Sequence, residues 1–256
     1  MLSKAKIKLI RSLEQKKYRN IHGLFVVEGD KMVKELLSSQ LAVESLYARP
    51  VWLRQISESS LRSVSEVVEI SEKELSQVSF TKTPSHSLAL VRMPQYSLET
   101  SEIFEGLSIF LDRVQDPGNL GTIIRIADWF GIGRVLCGEG CADAFCPKSV
   151  QSTMGAIARV KIVNTDVSFF QQLKKRQPDF CIFGAFLEGE SIYEASLSSK
   201  AVIALGNESK GISGIVGQYV DRHLLIPHYP YEGQPTTESL NVASAAAIIC
   251  SEFRRR

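Results

Sequence analysis

From Ser108 to Gly131 the chain passes from one repeat period to another, and few folds accommodate that passage. Ser108–Asp112 is a short apolar run rich in strand formers, and Gln115, Asp116, Pro117, Gly118 and Asn119 after it are turn chemistry that cannot prolong a strand. Beyond Leu120 the apolar residues Ile123, Ile124, Ala127 and Phe130 recur at helical intervals, with Asn119 placed to cap the helix and Gly131 to stop it. A strand, a polar loop and a helix in that order belong to a parallel sheet, where ligands bind beyond the carboxyl ends of the strands. Asn119 falls there. Arg125 lies less than two turns into the helix, so its long side chain is expected to reach back to the loop. Taken alone, such an arginine is an ordinary solvated helix residue.

The same plan occurs twice more. Ala201–Leu205 is an apolar strand running into Gly206, Asn207, Glu208, Ser209, Lys210 and Gly211, a loop with glycines and one carboxylate. Leu224, Leu225, Ile226 and Pro227 lead into a long polar stretch, after which Ser239, Leu240 and Asn241 open an alanine-rich helix running towards Arg256. From Leu107 onward strands and helices alternate, which predicts an α/β domain with a parallel sheet covered on both faces. Before it, residues 1–94 form a smaller mixed α/β domain, with strands at Phe25–Glu28, Val67–Ile70 and Ser87–Val91 and a helix at Lys31–Leu37. Residues 95–105 are polar and aperiodic, hence a linker, and 106–256 is the second domain. No Gly-x-Gly-x-x-Gly follows a strand, which argues against a nicotinamide enzyme.

Composition sets limits. With 44% hydrophobic and 23% charged residues the chain is an ordinary globular protein, no apolar run approaches the length of a membrane helix, and the lysine-dotted start lacks a signal-peptide core. Five scattered cysteines suit a reducing compartment, and a cytoplasmic location is expected. Zinc sites usually pair closer ligands than Cys137, Cys141 and Cys146, and the nearest histidines are far away in sequence, so no metal is expected. Net charge is only +2, yet up to Asn20 seven basic residues (Lys4, Lys6, Lys8, Arg11, Lys16, Lys17, Arg19) face the single carboxylate Glu14. An amphipathic helix burying Ile7, Ile10 and Leu13 explains the segment, and its charged face suits phosphates. The acidic stretch at Glu66, Glu69, Glu72 and Glu74 offsets the total charge without cancelling the local field.

Taken together, LDRVQDPGNLGTIIRIADWFG, LGNESKGIS and SLNVASAAA resemble the three motifs of the SpoU (TrmH) family of RNA methyltransferases, in the knotted SPOUT superfamily that uses S-adenosylmethionine. The amino-terminal KKYRNIHGLFVVEGDKMVKELL is similar to the ribosomal-protein-like substrate-binding domain that many SpoU proteins carry. The resemblance implies a deep trefoil knot in the second domain, a homodimer formed through it with each site completed across the interface, and transfer of methyl to a ribose 2′-hydroxyl. Ribosomal RNA is the favoured substrate and transfer RNA the alternative. It also implies that Ala185, Leu205, Gly206, Asn207, Ile226, Ser239 and Leu240 meet the cofactor. Arg125 would engage the target ribose and its phosphate. Asn119, Glu208, Ser239 and Asn241 would be its partners, with Glu208 orienting a guanidinium or ribose hydroxyl. A guanidinium rarely gives up its proton, so either Arg125 or a phosphate it holds accepts the proton from the 2′-hydroxyl.

Several residues keep a plainer reading: turn geometry for Gly206 and Gly211, helix capping for Ser239, a first-turn polar residue for Asn241. The sequence departs from the family at His228 and in a longer insert, 228–238, where Tyr229 and Tyr231 are placed to stack on bases or to pack against prolines. A noncatalytic RNA-binding protein on the same fold and a base methyltransferase are the competing readings.

Overall fold

The computed structural model describes residues 2–98, 100–229 and 237–255. They divide into two compact units, Met1–Gln95 with Asp143–Arg159, and Tyr96–Ala142 with Val160–Arg256.

In the first unit β1 (Leu24–Glu28), β2 (Val43–Ala48), β3 (Glu66–Glu69) and β4 (Ser87–Arg92) form a sheet in the order β1-β4-β2-β3. β4 runs antiparallel to both neighbours, and β3 is parallel to β2. Helices Lys4–Ser12 and Lys16–His22 precede the sheet, with Ile10 and Leu13 fully buried and Ile7 half-buried, the apolar face read from the sequence. Lys4, Lys8, Lys16 and Lys17 are exposed. Not every neighbouring cation is free: Lys6 is paired with Glu66, and Arg11 donates to the Ser79 carbonyl at 2.8 Å.

Arg19, counted above among the surface charges, is buried. Its guanidinium donates to the carbonyls of Leu13 and Glu14 at 2.7 Å each and to Asp143 Oδ2 at 2.7 Å. Burial of a charge is tolerable only with such a complement of acceptors. Asp143 brings residues 143–159 with it, and Phe145 packs on Phe25 with ring centroids 5.0 Å apart. The excursion of this segment into the first unit has no counterpart in sequence periodicity.

In the second unit seven strands lie parallel: β5 (Leu107–Leu111), β6 (Arg134–Cys137), β7 (Lys161–Asn164), β8 (Ile182–Phe186), β9 (Glu190–Ser191), β10 (Ala201–Leu205) and β11 (Arg222–Leu225), in the order β7-β6-β5-β10-β8-β11-β9. β5 and β10 are central and buried at every residue, which is why both read as unbroken apolar runs. The chain leaves β5 for β6 on one side while β10 lies on the other, so the carboxyl edge of this pair is a switch point, the place where such sheets bind ligands. Ahead of β5 a short helix, Thr100–Ile103, buries Ile103 completely, and Phe104 meets Phe180 edge-on at 5.0 Å. Among the described residues no helix is long and apolar enough to cross a membrane.

Candidate active site

Three loops meet at the carboxyl edge of β5 and β10. After β5, Asp116 rather than Asn119 caps the helix Pro117–Trp129: its carboxylate accepts from the Asn119 amide at 2.8 Å, and Pro117 takes the first position, where no amide donor is needed. Relieved of capping, the Asn119 side chain donates to Glu208 Oε1 at 2.8 Å and accepts from Asn241 Nδ2 at 3.0 Å. Asn241 is itself the cap of the helix Val242–Arg255, its Oδ1 accepting from Ala243 N at 2.9 Å and Ser244 N at 3.4 Å. The sequence offered Ser239 for that role, but Ser239 is exposed and stands two residues short of the cap. With Oδ1 of Asn241 held by helix amides, its Nδ2 must be the donor, and Glu208 in turn demands the donor of Asn119. The charge of Glu208 and the end of the last helix therefore set both amide orientations.

The loop after β10 is folded on itself. Asn207 and Gly211 exchange backbone hydrogen bonds of 3.0 and 2.9 Å, and Asn207 Oδ1 accepts from the amides of Ser209 and Lys210 at 3.0 and 3.1 Å. A Cβ on Gly206 would lie 2.2 Å from the Gly211 carbonyl carbon and 2.3 Å from Ile212 N, so glycine is required by the loop's own closure. Asn207 Nδ2 ties the loop to the Arg113 carbonyl at 2.8 Å, and the Asp112 carboxylate receives the Ser213 amide. Asp112, Arg113 and Asp116 thus position Glu208 and Asn119, a role not read from the sequence. Acidic residues just past a strand were the available signal for the two aspartates. Arg113 adopts φ 58, and a non-glycine residue there leaves no trace in sequence.

Of the other expected site residues, Leu205 is enclosed and its carbonyl accepts from Asp112 N at 2.8 Å, so it supports the edge rather than lining it. Ala185 and Ile226 are half-buried at the ends of the adjacent strands β8 and β11, and Leu240 is 49% exposed. Arg125 is not brought to Glu208. Six residues past Asn119 it has turned by roughly 240° about the helix. There it stands exposed, with no hydrogen bond or ion pair to any described residue, one turn before Trp129, which is 84% exposed. Tyr229 is 83% exposed; Tyr231 and most of the insert lie outside the described residues.

A parallel α/β sheet carrying a polar site of loop side chains at its switch point is the frame of a ligand-binding enzyme domain. Residues 106–251 match the model of the SpoU rRNA methylase family, and residues 4–89 that of the MRM3-like substrate binding domain. The chain belongs to the SpoU rRNA methylase family. It is 33% identical over 251 residues to the 23S rRNA (guanosine(2553)-2′-O)-methyltransferase RlmP of Bacillus subtilis, covering 97% of this chain and 96% of that one. Among solved structures, a TrmH-family protein of Porphyromonas gingivalis is 41% identical with a TM-score of 0.88, covering 100% and 99% of the two chains. An AdoMet-bound rRNA methyltransferase of Sinorhizobium meliloti is 27% identical with a TM-score of 0.85, covering 100% and 96%.

Proposed function

We propose that this protein transfers a methyl group from S-adenosylmethionine to the 2′-hydroxyl of a ribose in ribosomal RNA, acting as a cytoplasmic homodimer whose second unit carries the family's knot. The observation that carries the reading is the hydrogen-bonded set Asn119, Glu208 and Asn241, assembled from three loops at the switch point. The names of RlmP and of the Sinorhizobium protein support RNA as substrate, and that of RlmP the ribose oxygen as acceptor.

The residues present suit the cofactor. β10, β8 and β11 end side by side, and Gly206, Ala185–Phe186 and Leu225–Ile226 form a ledge without lysine or arginine, so nothing on it repels a sulfonium. Ala185, Gly206, Ile226 and Leu240 would hold the cofactor; Asn207 keeps the loop of Gly206 closed, and Ser239 lies beside Leu240. When bound, S-adenosylmethionine supplies a methyl group already activated by positive sulfur. The protein's work is then to align the acceptor oxygen and remove its proton. Glu208, held by Asn119, orients the ribose hydroxyl. Arg125 faces outward, which fits a homodimer in which it serves the partner's site, engaging the phosphate that neighbours the target ribose. The exposed lysines of the first unit, Lys4, Lys8, Lys16 and Lys17, supply charge for holding structured RNA.

The test is transfer of labelled methyl to unmodified ribosomal RNA and, separately, to transfer RNA, with Arg125→Ala beside wild type. Label recovered as 2′-O-methylribose from ribosomal RNA, and lost in the variant, is expected. Label on transfer RNA alone overturns the substrate, label on a base overturns the acceptor, and absence of cofactor binding overturns the enzyme.

A further inference from the structure

Behind the loop that holds Asn207 lie two thiols. Cys137 ends β6 opposite Leu111 of β5, and the chain then turns through Gly138, Glu139 and Gly140, the last with φ 79, to bring Cys141 back. Gly138 N donates to the Leu111 carbonyl at 2.9 Å, Cys141 N to the Gly138 carbonyl at 3.3 Å, and Cys141 Sγ to the Leu111 carbonyl at 3.2 Å. Gly138 N, next to Cys137, and Cys141 Sγ therefore meet at one carbonyl, which brings the Cys141 thiol back beside the end of β6. Cys137 is buried, whereas Cys141 keeps partial access to solvent.

The turn also contacts the loop after β5, which holds Asn207. Ala142 N donates to the Val114 carbonyl at 2.8 Å, and Gly140 packs so closely on Arg113 that a Cβ there would lie 3.1 Å from Arg113 Cγ. Arg113 in turn holds Asn207. The contacts of Gly140 with Arg113 and of Arg113 with Asn207 link this turn to the loop that carries Glu208.

We propose that Cys137 and Cys141 are a reversible dithiol whose oxidation to a disulfide disturbs the Arg113–Asn207 contact and weakens cofactor binding. The oxidant is a low-molecular-weight disulfide. The Cys141 thiolate attacks it and expels one thiolate, and the Cys137 thiolate then attacks Cys141 Sγ in the mixed disulfide and expels the second. One S–S bond forms in the protein as one breaks in the oxidant, and the two cysteine protons end on the two released thiols. The neighbouring Cys137 side chain, outweighing the opposite effect of burial, holds the Cys141 pKa below its ordinary value, which favours it as the attacking group. Cys250, by contrast, is pushed up to about 12 by burial and is inert.

The dithiol itself stands apart from the enzymatic reading, whereas its effect on cofactor rests on it, and the experiment separates them. Full-length reduced protein is incubated with oxidised glutathione, remaining thiols are alkylated, and the tryptic peptide 135–148, which holds Cys137, Cys141 and Cys146, is fragmented. One alkyl group, on Cys146, with the peptide two hydrogens lighter than the dithiol form, is expected. Alkylation of Cys137 and Cys141, retained glutathione on Cys141, or a bond to Cys146 overturns the dithiol. In parallel, S-adenosylmethionine affinity should fall at least tenfold on oxidation, return with dithiothreitol, and be indifferent to oxidant in Cys141→Ser, which lacks the attacking thiol. Equal affinity of the two redox forms overturns the coupling; no binding by reduced protein overturns the proposed function while the peptide result still decides the dithiol.

Discussion

Arg125→Ala and Glu208→Gln, each inactive alone, should restore activity when their subunits are mixed. The expectation follows from where the two residues stand. Arg125 lies about 9 Å along the helix from Asn119 and roughly 240° around it, exposed and without a partner among the described residues, whereas Glu208 is tied to Asn119 at 2.8 Å. If Arg125 serves the partner's site, a mixed dimer holds one site with both residues intact and one with neither. Equimolar exchange makes about half the dimers mixed, so about a quarter of wild-type activity should return, by the counting that a two-fold interface dictates. Glu208→Gln is chosen because its amide oxygen still accepts from Asn119, leaving the loops in place. The assay is labelled methyl transfer to ribosomal RNA after brief partial denaturation and refolding of the mixture, with sedimentation to verify the dimer. Activity no greater than the sum of the two unmixed variants would show that Arg125 acts within its own subunit and refute the shared site. A monomeric wild type would refute it sooner.

Gly206→Ala places a Cβ 2.2 Å from the Gly211 carbonyl carbon; opening the loop should cost about 1–3 kcal/mol of stability, read as a lowered Tm, and weaken cofactor binding. Arg19→Met strips the Leu13 and Glu14 carbonyls and the Asp143 carboxylate of their partner; a loss of about 3–5 kcal/mol is expected in denaturant titration, and a loss under 1 kcal/mol would contradict the pairing. Glu74 has its carboxyl lowered to about 2 by hydrogen bonds from the Ser71 amide, the Ser71 hydroxyl and Leu2 N. A depressed carboxylate stabilises the fold above its unfolded pKa, near 4.5, and that contribution fades as pH falls towards 2. Glu74→Gln should therefore be less stable than wild type at pH 7, with the difference shrinking between pH 5 and 2; a difference constant across that range would refute the assignment.

Much of the fold was legible because its signals are local. Ser108–Asp112 and Ala201–Leu205 read as unbroken apolar runs because β5 and β10 are covered on both faces, and Phe25–Glu28 and Ser87–Val91 fell within a residue of β1 and β4. β2 went unseen, its Glu44 and Ser45 interrupting the apolar run. The burial of Arg19 was invisible because its acceptor Asp143 lies 124 residues away, and no periodicity reports a partner at that distance.

At the site the sequence was sound on three residues that meet, and weaker on what each does and on where Arg125 stands. Asn119, Glu208 and Asn241 do meet, yet Asn119 gave its expected cap to Asp116, and Asn241 took the one expected of Ser239. The first exchange leaves the Asn119 side chain free for Glu208, and the second follows from where the last helix starts, at Val242, with Asn241 immediately before it. In Asn241 the cap and the bond to Asn119 are divided between the oxygen and the nitrogen of one amide. Arg125 shows the opposite limit: nearness in sequence suggested reach, while the rotation of the helix carried it outward. A functional cation held away from its own subunit's carboxylate can act beside that of another copy, and spacing along one chain cannot reveal such a pairing.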